Sequence, residues 1–136
     1  MEELKRLYQE YIQFAQDLHA SVSPINAVFG MRSAEVNHPG HLEFYNAVKR
    51  WTDGFLEKPR EQSEIEQALE VILFSAAEHH SSAAVWYLIA AQVSAKPLLD
   101  LLPAQRKEAL RVTYQKRYPR GKRLPLQNDL LARMGK

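Results

Sequence analysis

Cysteine is absent from all 136 positions. That one absence removes disulfides, thiol nucleophiles and thiolate zinc sites together. Glycine is scarce, and its five copies are scattered, so neither a phosphate-cradling Gly-x-x-x-x-Gly-Lys loop nor a dinucleotide fingerprint can be assembled. A Gly-x-Ser-x-Gly nucleophile elbow is missing as well. Strict apolar–polar alternation does not occur, which argues against a sheet. The longest stretch nearly free of polar side chains, Ala83 to Ala91, is nine residues. A bilayer span needs about 20, so no membrane association is expected. The opening MEELKRLYQE is charged and lacks the apolar segment of a secretory signal, so the expected location is cytoplasmic.

What remains is a chain of ordinary globular composition, 46% hydrophobic and 25% charged. It is long enough for one domain with a real core, burying roughly two-thirds of its unfolded surface. Helical periodicity is the dominant pattern. Leu4, Leu7, Tyr8, Tyr11, Phe14, Ala15 and Leu18 recur at steps of three and four, predicting a helix over 2–20. Leu42, Tyr45, Val48, Trp51, Thr52 and Phe55 do the same over 41–56, with Asn37 or His38 placed to cap it. Between them, 21–40 is punctuated by Pro24, Gly30, Pro39 and Gly40, a long connection of the kind that often carries function.

The stretch Glu64 to Val93 must lie inside, because its second half is apolar all round. Ser81–Ser82 is a cap sequence that splits it in two. Lys96–Pro97 should stop it, leaving one short turn over 97–102. Pro103 starts a helix to about Arg117, with Ala109, Leu110, Val112 and Tyr114 as its apolar members. Tyr118-Pro119-Arg120-Gly121 reads as a turn, and Pro125 opens a last short helix. The expected fold class is all-α: a compact bundle of five or six helices around a central apolar helix at about 64–93, broken at 80–82. Residues 1–136 form one helical domain in this reading, with a basic C-terminal segment, 106–136, packed on it or extending from it.

Charge is unevenly placed. Residues 1–95 hold 7 basic and 13 acidic side chains, whereas 96–136 hold 11 basic and 3 acidic. Such polarity points to an electrostatic partner, or to the basic part lying on the acidic part within the molecule. Between Ala109 and Asn128 no acid occurs, and Arg111, Lys116, Arg117, Arg120, Lys122 and Arg123 fall there with Tyr114 and Tyr118. Cations on one surface can dock an acidic protein, and they can also displace the counterions of a nucleic acid. The two tyrosines could then stack on unpaired bases. The plainer reading is a solvated strip, or one braced against Glu57, Glu61, Glu64 and Glu70.

Histidines supply the weaker candidate. His38 and His41 flank the start of the second helix, and His79 and His80 follow Glu78. Imidazole and carboxylate suit several transition metals. However, adjacent helical residues diverge by about 100°, so His79 and His80 cannot share an ion without a local break. No metal and no cofactor is therefore expected. Trp51, Trp86, Tyr87, Phe44 and Tyr45 sit at helical spacing and read as core. No coherent catalytic set emerges. The leading expectation is a small helical interaction or regulatory protein without catalysis, using 111–123 to bind an acidic protein partner. A nucleic-acid binder using the same residues comes second, and a metal-binding bundle using the four histidines third.

Overall fold

The computed structural model describes residues 1–21, 39–74, 82–121, 123 and 125–134, with side chains throughout except at 19–21 and 82–85. Six helices and no strand are present among the described residues, as an all-α bundle requires. They are α1 (Glu2–Ser21), α2 (Pro39–Phe55), α3 (Gln62–Phe74), α4 (Ser82–Leu99), α5 (Ala104–Arg117) and α6 (Pro125–Met134). None of them is long and apolar enough to cross a membrane. The stretch expected at the centre contributes α3, described to Phe74, and α4, described from Ser82. Residues 22–38 of the long connection expected at 21–40, and residues 80 and 81 of the break expected at 80–82, lie outside the described residues.

The hub is α4, which packs against α1, α2, α3 and α6. Its sequence explains why. Ala90, Ala91 and Ala95 are buried small residues that let neighbouring backbones come close, and Tyr87, Leu98 and Leu99 fill the space between them. Leu4, Tyr8, Tyr11 and Ala15 of α1, Phe44 and Val48 of α2, and Leu69 and Ile72 of α3 complete one cluster. Leu130 and Met134 of α6 belong to it too, so the end of the basic segment is part of the core.

Two local expectations are overturned. The helix does not stop at Lys96–Pro97; α4 runs through Pro97 to Leu99. A helical proline costs about 3 kcal/mol, through a lost amide donor and a clash with the carbonyl four residues back. Continuing the turn places Leu98 and Leu99 in the core at 0% and 1% exposure. Each such leucine contributes roughly 1.5–3 kcal/mol on burial, so the pair outweighs the proline. The second correction concerns α5. Of its supposed apolar members only Tyr114 is buried; Ala109 and Val112 face solvent, and Leu110 is half-buried.

Helix ends follow familiar chemistry. Glu64 reaches back to the Glu61 amide at 3.3 Å, satisfying a donor that the first turn of α3 leaves open. At the far side of α5 the Tyr118 amide donates to the Tyr114 carbonyl at 2.9 Å. The turn that follows carries Gly121 at φ 91°, a conformation in which a side chain would be strained.

Candidate interaction surface

The basic segment is built on α5, the turn after it, and α6. Its tyrosines go inward. Tyr114 is 1% and Tyr118 9% exposed, their ring centroids 4.6 Å apart and both beside Phe74 of α3. The Tyr118 hydroxyl donates to the Leu73 carbonyl at 3.4 Å. Burial pushes the Tyr114 phenol well above its ordinary range, Tyr118 adds to the shift, and a hydrogen bond with Gln127 and the Arg123 charge oppose it. Neither ring is available to stack on a base, so both leave the candidate surface and join the core.

Outward-pointing cations remain. Lys116, Arg117 and Arg120 are exposed. Among the described residues, Lys116 and Arg120 make no ion pair, and the nearest acids in sequence are Glu108 and Asp129. Arg111 is committed locally: its guanidinium clamps both carboxylate oxygens of Glu108, with Nε donating at 2.8 Å. That clamp holds the Glu108 carboxyl below its usual range. Arg123 is half-buried, and its enclosed Nε meets no hydrogen-bond acceptor among the described residues. Lys122 lies outside the described residues.

A second feature could not be read from sequence. α3 and α5 run side by side in the same direction. At their starts, Arg106 donates to Glu66 Oε1 from Nε at 2.6 Å, 40 positions apart in the chain. At their ends, Phe74 and Leu73 meet Tyr114 and Tyr118. A groove of about 350 Å³ runs between them over Leu69, Phe74, Leu102 and Leu110, rimmed by Glu66, Glu70 and Arg106. The contact between basic and acidic parts is thus real at Arg106. Glu57, Glu61 and Glu70 carry no ion pair among the described residues.

The chain matches no protein-family model, no curated protein and no solved structure.

The histidine candidates divide. His38, His79 and His80 lie outside the described residues. His41 is fully buried on α2, and its Nδ1 is hydrogen-bonded to the Tyr11 hydroxyl of α1 at 2.7 Å. Trp86 lies parallel to its ring at 5.9 Å, and Phe14 meets it edge-on at 5.6 Å. This is a histidine packed inside an aromatic cluster, not one presented to an ion. No group of three or more histidine and acidic side chains that could hold a metal occurs among the described residues. The cluster continues through Tyr11, stacked on Phe44 at 3.9 Å, to Tyr8 and Tyr87. Their spacing marks these rings as core, but nothing in it signals that His41 joins them.

Proposed function

We propose that this protein is a small helical binding module that docks the cationic end of α5 onto an acidic surface of a protein partner, without catalysing a reaction. The supporting observation is the pair Lys116 and Arg120, exposed and without an ion pair among the described residues. Lys116 stands in the last turn of α5, where the helix dipole favours positive charge, and Arg120 in the turn that follows. Surface charge of this kind steers encounter and sets orientation more than it supplies affinity. A cytoplasmic setting belongs to the same proposal.

Nucleic acid is the competing reading, and the tyrosines weigh against its single-stranded form. Stacking contributes about 1–3 kcal/mol per base in such binders. Here the aromatic rings beside the cations are in the core, which leaves phosphate attraction alone. The test is fluorescence anisotropy with a labelled poly-glutamate peptide and a labelled oligonucleotide of equal charge. Tighter binding of the peptide, lost in the variant K116S/R120S, supports the protein-partner reading. Tighter binding of the oligonucleotide, lost in the same variant, would replace it.

A further inference from the structure

We propose that the groove where α1, α2 and the start of α3 meet binds a small, uncharged planar ring, of the nitrogen-heterocycle class. The groove lies by the start of α3, whereas the cationic end lies by its finish at Phe74, so the site is independent of the docking role.

The groove encloses about 560 Å³, within the roughly 300–1,000 Å³ of small-molecule sites. Ala47, Arg50, Trp51 and Gly54 form its α2 wall, at the three- and four-residue steps that put them on one face. Gly54 carries the argument. Its φ lies outside the left-handed region, so the backbone has no need of glycine there. A Cβ would meet nothing within 4 Å, so packing has no need of it either. Glycine inside a helix costs stability relative to alanine. What the missing side chain provides is open space beside Trp51, where a ligand can approach the helix backbone closely.

Trp51 supplies a flat surface at that opening. It stacks on Phe55 at 4.9 Å between centroids and 19° between planes, and the Arg60 guanidinium lies over Phe55 at 4.4 Å. Arg60 is fixed in turn by the Phe55 carbonyl at 2.8 Å and by Glu64 at 3.3 Å. The half-buried indole stacks on no other described ring, and its N–H has no hydrogen-bond partner among the described residues.

Charge sets the ligand class. Of the ionisable side chains that line the groove, Arg60 and Glu64 are paired, which leaves one acid, Glu3, and one base, Arg50. Charges on the neighbouring turns of α1 and α2 balance as well: Lys5 with Glu2 and Arg6 with Glu10 as ion pairs, Lys49 with Asp53 in number. The walls therefore favour neither an anion nor a cation. Arg50, Gln67 and the indole N–H offer donors, and Glu3 and Gln67 acceptors, which suit the ring nitrogens and N–H groups of a heterocycle.

Two-dimensional ¹H–¹⁵N NMR of the full chain tests this, with adenine and indole as probes titrated to about 5 mM, a range that covers millimolar affinities. Indole-3-acetate, tryptamine and cyclohexanol represent an anion, a cation and a ring that is not flat. The protein has two tryptophans, so the indole N–H signal that W51L loses is that of Trp51. At least one of the two probes should shift that signal saturably, more tightly than any comparator binds. G54L fills the opening and W51L removes the flat surface; read from the backbone amides of 47–54, each should weaken binding about tenfold or more. The Tm of G54L should hold or rise, since leucine is the better helix former. No saturable shift with either probe would overturn the inference, as would unchanged binding in G54L. Tighter binding of any comparator would overturn the ligand class, and a G54L chain that fails to fold would contradict the open space on which the site depends.

Discussion

Adding one methyl group at each of two helical glycines should move stability in opposite directions. A Cβ built on Gly40 would stand 2.3 Å from Phe14 Cζ and 2.8 and 2.9 Å from its two Cε atoms. Carbon atoms prefer about 3.5–4.0 Å, so the ring must move. The ring is half-buried, with Tyr11 at 6.0 Å and His41 at 5.6 Å between centroids, so moving away from the new methyl group gives up part of those contacts. Overpacking of this kind costs about 1–3 kcal/mol. Alanine returns roughly 0.5–1 kcal/mol through its better helix propensity. The variant G40A should therefore lose about 1–2 kcal/mol. Unfolding entropy for a chain of this length is about 0.3 kcal/mol per kelvin, which makes the expected fall in Tm about 3–7 °C. At Gly54 a Cβ meets nothing within 4 Å. There only the propensity gain applies, and G54A should raise Tm by about 2–3 °C. Thermal and urea unfolding of the two variants, read by circular dichroism, gives both signs. A stabilised G40A, or two shifts in the same direction, would refute the close packing of α1 on α2.

The aromatic core supports three more expectations. Replacing Tyr11 with phenylalanine removes the bond to buried His41, and should cost about 1–3 kcal/mol in urea unfolding. The Tyr8 hydroxyl is equally buried but has no hydrogen-bond partner among the described residues, so Y8F should be neutral or stabilising by up to about 1 kcal/mol; a larger loss in Y8F than in Y11F would contradict this assignment. High pH should unfold the protein. Burial raises the phenols of Tyr8, Tyr11, Tyr87 and Tyr114 above their ordinary value of 10.0, so the folded state keeps protons that the unfolded chain releases. Stability is then unaffected below about pH 10 and falls above it, by up to about 1.4 kcal/mol per pH unit for each such tyrosine. Tyrosinate absorbance from these rings should appear together with loss of helicity, and its appearance in a still folded protein would refute their burial. Pro97→Ala should stabilise, since the helix already runs through that position and regains an amide donor to the Val93 carbonyl; an unchanged or lower Tm would mean the turn is not helical in solution.

Much of the fold was legible because helical periodicity is a local signal. The stripe from Leu4 to Ala15 and the apolar run through Tyr87 and Ala91 are each set by neighbours within one or two turns. Pro97 was misread for the same reason. A local rule predicts a stop there, but the burial of Leu98 and Leu99 is a tertiary gain that the rule does not contain. The candidate surface was legible only in part. Exposed Lys116 and Arg120 follow from the acid-free run around them. Tyr114 and Tyr118 looked identical to surface stacking residues, because a tyrosine beside arginines carries no local mark of which side of the helix meets the core. The meeting of Glu66 with Arg106 depends on which helices lie together. His41 depends in the same way on Tyr11 and Trp86, partners 30 and 45 positions away.

The docking role of the cationic end is tested most directly by a salt titration of poly-glutamate binding to the wild type and to K116S/R120S. The wild type should bind with an affinity that falls steeply between 50 and 200 mM salt, while the variant, folded to the same Tm, should show no measurable binding. Equal binding by both proteins at every salt concentration would mean that Lys116 and Arg120 are only a solvated strip.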